Sequence, residues 1–361
     1  MNEAPAATEA AADADKKPKL ELSASRGFEA WLASAGVSLA FTTYQAGKLF
    51  LIGQQPNGRM SVFERTFERC MGLHASDRTL WMSSIYQLWR FENALEPGQN
   101  QDGYDAVYIP QIAYTTADLD IHDIMLGQDG APIFCATLFN CLGTVSASHS
   151  FRPVWKPPFI SRIAAEDRCH LNGLAGENGA PRYVTMVSRS DVVDGWRDRR
   201  TDGGLVMDVA SGEVVASGLS MPHSPRVANG KLYLLDSGTG RFGSVDPANG
   251  AFEEIAFCPG FARGLSIVGD YALIGLSLPR DNRTFTGLPL DQALKDRDTT
   301  PRCGLIVVDL RNGDAVHWVR IEGIVTEIYD VAMISGLRRP MAIGTRADDI
   351  RRMISIEPGD A

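Results

Sequence analysis

Residues 221–260 read MPHSPRVANG KLYLLDSGTG RFGSVDPANG AFEEIAFCPG, four ten-residue units that each end in glycine. Each unit holds a short strand-like run, and two of them close on Asn-Gly, a pair suited to the positive φ of a tight hairpin. Four consecutive antiparallel strands of this length make one blade of a β-propeller.

The same template fits on either side. Residues 119–162 supply LDIHDIML, IFCATLFN, CLGTVSAS and VWKPPFIS. Residues 167–220 supply RCHLNGLA, RYVTMVSR, GLVMDVAS and EVVASGLS, with the charged loop DGWRDRRTDG inserted. The unit at 261–323 is lengthened by an insertion at 280–302, between YALIGLSL and CGLIVVDL. EIYDVAMI, starting near Glu327, is an inner strand with no outer strands after it. VSLAFTTY, KLFLIGQQ and RMSVFERTF near the N-terminus are outer strands with no inner one, so the two sets complete a last blade. The expectation is an all-β, six-bladed propeller with inner strands near 71–76, 119–125, 168–174, 221–227, 261–267 and 327–333.

Residues 1–24 are Ala-rich and charged with no apolar stretch of signal-peptide type, and are expected to be a disordered tail before a single domain over 25–361. That domain should open with a short helix capped by Ser25, burying Phe28, Trp31 and Leu32 and stopping at Gly36. A net charge of −9 without a basic block argues against a nucleic-acid groove. No apolar run reaches the roughly 20 residues a membrane helix needs. The six cysteines are scattered without a CxxC pair, which suits reduced core thiols in a cytoplasmic protein.

The inner strands line the axis of a propeller, so their side chains converge. Four in succession carry histidine: His74, His122, His170 and His223. The remaining two carry Arg263 and the pair Glu327 and Tyr329, which share a face because strand side chains alternate. Imidazoles held on separate rigid strands make a site for one divalent transition metal, Fe(II) or Cu before Zn. Asp123 and Asp167 are placed to fix the imidazole tautomers, while Cys169 should point away from the channel. Arg263 can meet either Glu327 or a substrate carboxylate.

Two other stretches have simpler readings. GTGRFG at 238–243 leads from one strand into another and lacks the helix a dinucleotide pocket requires, so it reads as a turn. FRPVWKPPF at 151–159 reads as an edge strand protected by its prolines.

EDRCHLNGLA, MPHSPRVANGKLYLLDSGTG, GFARGLSIVGDYALIGLS and SFRPVWKPPFIS resemble an uncharacterised bacterial family of conserved hypothetical proteins, a domain of unknown function, across nearly the whole chain from about residue 27. Three propeller enzymes are similar in architecture. Carotenoid-cleaving oxygenases hold Fe(II) on four axial histidines in a seven-bladed ring, which would correspond to His74, His122, His170 and His223. The peptidylamidoglycolate lyase domain holds zinc on three histidines with a tyrosine and an arginine, parts open to His122, His170, His223, Tyr329 and Arg263. Gluconolactonase-like propellers resemble HLNGLA and YLLDSGTG, but bind metal through carboxylates and asparagine.

The expected function is therefore a metal-dependent enzyme with His74, His122, His170 and His223 as ligands. It would be an Fe(II) or Cu oxygenase or hydroxylase acting on a polar, carboxylate-bearing small molecule or peptide. Arg263 would anchor the carboxylate, and Glu327 or Tyr329 would move a proton. One alternative is a Zn-dependent lyase or hydrolase using three histidines, with Tyr329 as base. Another is a non-catalytic scaffold that binds a protein partner.

Overall fold

The computed structural model describes residues 19–279, 286–346 and 348–357. Among them the strands form six sheets around one axis, a six-bladed β-propeller. Its inner strands are Leu73–Ala75, Ile121–Leu126, Leu171–Glu177, Pro222–Ala228, Phe261–Val268 and Val331–Ser335, one for each expected blade.

The blade of 221–260 forms as its sequence implies, with Pro222–Ala228, Lys231–Asp236, Arg241–Val245 and Phe252–Phe257 in consecutive antiparallel order. Its first hairpin turns on Asn229 and Gly230 at φ 51° and 72°, the double positive φ that Asn-Gly accepts at little cost. GTGRFG is the next turn, with Arg241 already paired in the following strand. The ring closes where Val331–Ser335 pairs with Val37–Thr43, followed outward by Lys48–Gln54 and Met60–Thr66. Thr42 sits at this junction: its carbonyl accepts from the amide of Tyr329 at 2.8 Å.

Helix Phe28–Ala35 buries Phe28, Trp31 and Leu32 and ends on Gly36 at φ 62°. Ser25 does not cap it. Gly27 takes the cap position, and the Ser25 hydroxyl instead meets the His317 ring at 3.1 Å and accepts from the Trp318 amide at 3.2 Å. Within the stretch 1–24 expected to be a tail, Glu21–Ala24 instead adds a fifth strand to the edge Ala315–Glu322. Residues 1–18 lie outside the described residues, as do 280–285 of the insertion, which carries helix Pro289–Asp296 with Leu290 and Leu294 buried.

All six cysteines are buried free thiols, and Arg152–Trp155 is the outermost strand of its blade. Among the described residues no helix is long and apolar enough to cross a membrane.

A repeated hydrogen bond sets the relative height of the blades. The hydroxyls of Thr42, Ser83, Thr137, Ser237 and Ser277 donate to the inner-strand carbonyls of Met71, Ile121, Leu171, Ala262 and Ile328 in the next blade, at 2.5, 3.1, 2.6, 2.6 and 3.0 Å. The residues that follow those carbonyls therefore share one level: Gly72, His122, Asn172, Arg263 and Tyr329. His223 holds that level in the fourth blade. Asp120, His170 and Met221, each two residues before it in their blades, all adopt positive φ, of 54°, 53° and 46°.

Candidate active site at the channel mouth

The axial level thus reads Gly72, His122, Asn172, His223, Arg263, Tyr329. The four histidines are not equivalent, contrary to the expectation from their spacing. His122 and His223 share the level, and in each the Nδ1–H donates to the carbonyl two residues back, Asp120 at 2.9 Å and Met221 at 2.8 Å. In the third blade Asn172 takes that place. His170 precedes its strand, on a left-handed residue that turns the ring into the channel mouth beside His122, with ring centroids 4.9 Å apart. The 48-residue spacing paired His170 with His122, but the residues at one level in these two blades, His122 and Asn172, are 172 − 122 = 50 apart.

His74 is the clear departure. It lies two residues beyond Gly72 and so one layer deeper in the channel, where its charged neighbours are Arg226 and Asp123. Burial first, then the Arg226 charge, lowers its pKa to about 4. Asp123 fixes no tautomer. Its carboxylate accepts from the amides of Ile124 and Leu174 at 2.9 and 3.0 Å, and from Arg226 at 2.8 and 3.1 Å. Asp330 faces the same arginine at 3.8 Å and accepts from the amides of Leu73 and Val331. Two carboxylates and one guanidinium close the channel under the site.

Above that plug is a depression of about 180 Å³ lined by Tyr44, Asp120, His122, Asp167, His170, Arg263 and Tyr329, among others. Asp167 fulfils its expected role: its carboxylate takes the Nδ1–H of His170 at 2.9 Å and the indole N–H of Trp196 at 2.8 Å. Trp196 stacks on His170 with centroids 4.2 Å apart. It comes from the inserted loop DGWRDRRTDG, where a lone tryptophan among charges was the available signal. Tyr44, stacked on Tyr329 at 5.6 Å, comes from the hairpin between two outer strands and carried no such signal.

Each of these three histidines points Nδ1–H at an oxygen, so in the neutral ring Nε2 is the lone-pair nitrogen. Burial is the main cause that holds His122 and His223 well below the usual histidine pKa. The second cause is the His170 charge for His122, and the Arg263 charge for His223. Both are neutral imidazoles. The Nε2 of His223 is already engaged, accepting from the Asn172 side-chain amide at 3.3 Å while Thr185 donates to the Asn172 oxygen at 2.9 Å. This leaves the Nε2 atoms of His122 and His170 toward the depression.

Arg263 lies 4.7 Å above the Tyr329 ring and 5.5 Å above that of Phe261. Tyr329 is 4% exposed, and its hydroxyl has no hydrogen-bond partner among the described residues. Burial outweighs the opposing Arg263 charge and raises its pKa well above the ordinary phenol, so the hydroxyl keeps its proton. Glu327, at 4% exposure, does not line the depression.

The donor set fits a metal in tautomer but not in arrangement. Among the described residues no three His, Cys, Asp or Glu side chains form a group that could hold a metal ion. His74 is on another level and Asn172 occupies His223, so the expected four-nitrogen sphere is not assembled.

No curated protein matches the chain. Among solved structures, a chain of the nidogen/laminin complex is similar at TM-score 0.53 and 12% identity, over 83% of this chain and 99% of that one. A protein of unknown function from Bacteroides caccae aligns at 0.48 and 11%, over 83% and 99%. Virginiamycin B lyase from Staphylococcus aureus aligns at 0.39 and 12%, over 85% and 100%. At such identities the first of these shows a shared fold and nothing of activity. A family profile described as a domain of unknown function, DUF4915, matches residues 26–343, and the chain belongs to that family.

Proposed function

We propose that the channel mouth is the active site of an enzyme that moves protons on a small anionic substrate, by lyase or hydrolase chemistry. The observation that carries this reading is the Tyr329 hydroxyl, buried in the wall of the depression without a hydrogen-bond partner among the described residues. Leaving such a group unpaired costs about 1–3 kcal/mol, a cost that a bound ligand removes. Beside it, His122 offers a neutral Nε2 while its Nδ1–H is fixed on the Asp120 carbonyl, the orientation a general base requires. Arg263 supplies the charge for a carboxylate. In this arrangement Arg263 fixes the substrate, His122 accepts a proton and Tyr329 returns one.

The test is binding of small carboxylates to the full chain by titration calorimetry, in wild type, Arg263→Gln and Tyr329→Phe. Arg263-dependent binding supports the reading. Binding that ignores both substitutions sinks it.

A second reading, one divalent metal on histidine with oxygenase or hydrolase chemistry, is favoured by the fixed Nδ1–H tautomers alone. It requires Asn172 to release His223. Iron, copper or zinc retained by untagged wild type and lost from His170→Ala/His223→Ala, measured by elemental mass spectrometry, would bring it forward. If neither ligand nor metal binds, the reading of the ring as a non-catalytic scaffold for a protein partner moves ahead.

A further inference from the structure

We infer that the substrate is a small zwitterion of amino-acid type, with its carboxylate at Arg263 and its ammonium at Asp120. This rests on the reading of the depression as an anion-binding active site and names the substrate class.

The wall of the depression carries opposite charges. Arg263 stands over Tyr329 on one inner strand pair, and Asp120 enters from the start of the second inner strand. The Asp120 side chain is 28% exposed; among the described residues its one ion-pair contact is the His122 Nδ1 at 3.7 Å, a nitrogen already committed to the Asp120 carbonyl, and the His170 ring is a further basic group that acts on it. No donor among the described residues hydrogen-bonds to its carboxylate. Arg69, the nearby guanidinium, is paired with Asp118. The second acid of the wall, Asp167, is saturated by His170 and Trp196. Asp120 is therefore the acid left for an incoming cation, and a partly buried carboxylate without a donor favours one strongly. Tyr44, lining the same wall, adds an aromatic ring beside that cation.

Size narrows the class. At about 180 Å³ the depression is smaller than the roughly 300–1,000 Å³ of pockets for drug-sized ligands. It suits a molecule whose two charged ends are separated by a few atoms. Tyr329 lines the same wall, and its buried hydroxyl, without a hydrogen-bond partner among the described residues, is then available to the substituents of the carbon skeleton.

The experiment is a calorimetric titration of the full chain with matched probes. Glycine, β-alanine and γ-aminobutyrate are each compared with acetate, propionate and butyrate, and with methylamine, ethylamine and propylamine. The expected result is that at least one amino acid binds about 10-fold tighter than its matched carboxylate, the return of one charge-assisted hydrogen bond. Asp120→Asn should remove that preference and keep carboxylate affinity, since asparagine accepts the positive φ of this position. Equal binding of the matched pairs, with Arg263→Gln abolishing both, would overturn the zwitterion and leave the anion site standing. Absence of any Arg263-dependent binding would overturn both. Should Asp120→Asn fail to fold, the wild-type preference alone decides.

Discussion

Asp123 and Arg226 meet across the propeller axis at 2.8 and 3.1 Å, one residue beyond His122. The aspartate comes from the second blade and the arginine from the fourth. The same guanidinium faces Asp330, one residue beyond Tyr329 in the closing blade, at 3.8 Å. The plug therefore joins three of the strands that present the site. Burial and the neighbouring Asp123 push the Asp330 carboxyl above the usual aspartate range, against the opposing pull of Arg226.

Arg226→Gln leaves the two buried carboxylates without their common cation. Removing one partner of a buried pair costs roughly 3–5 kcal/mol. The urea midpoint should fall accordingly, and a loss below 1 kcal/mol would show that the plug carries little of the stability. Adding Asp123→Asn should restore part of the loss, because it removes one of the stranded charges.

The buried histidines make stability depend on pH with a definite sign. His122, His223 and His74 all have folded pKa values below that of an unfolded histidine. The unfolded chain binds protons first, so the stability these groups contribute is present above about pH 6.5 and is lost as pH falls below it. Each contributes a slope of up to ~1.4 kcal/mol per pH unit. For His74 the loss levels off near its folded value of about 4. Denaturant titrations at pH 7 and pH 5 should differ, and His74→Gln should flatten the difference without changing ligand binding. A flat profile in wild type would contradict the burial of these rings.

The blade count was legible because each blade repeats one turn chemistry and one strand length, and Asn229-Gly230 is the plainest case. The closing blade was legible too, as inner and outer strands left over at opposite ends of the chain. The site was only partly legible. Histidine spacing located His122 and His223 on one level, but it could not see that the third blade reaches that level two residues later, at Asn172 and not His170. Nor could it separate layers along the axis, which is what removes His74. Asp120 went unnoticed because its role depends on a left-handed backbone and on which neighbours are already paired. Neither property is written in a local pattern.

Gly264 tests the register by another route. Its φ is 74°, and a Cβ there would stand 2.6 Å from the Val331 amide nitrogen of the closing blade. Only glycine permits that approach between adjacent inner strands. Gly264→Ala should destabilise by more than the ~1 kcal/mol of an ordinary glycine substitution, through strain at a residue adjoining Arg263. It should weaken carboxylate binding as well. Unchanged stability with unchanged binding would mean the inner strands can separate without moving the site.

Tyr329→Phe separates a structural hydroxyl from a functional one. A buried hydroxyl that is hydrogen-bonded within the fold stabilises it by about 1 kcal/mol, and its deletion costs that much. The Tyr329 hydroxyl makes no such bond among the described residues, while its ring packs between Tyr44, His122 and Arg263. Phenylalanine keeps the ring and removes only the desolvated oxygen. The variant should therefore melt at the wild-type temperature or slightly above it, yet bind the substrate carboxylate at least several-fold more weakly. A drop in melting temperature with binding intact would assign the hydroxyl to the fold and take away the observation on which the catalytic reading stands.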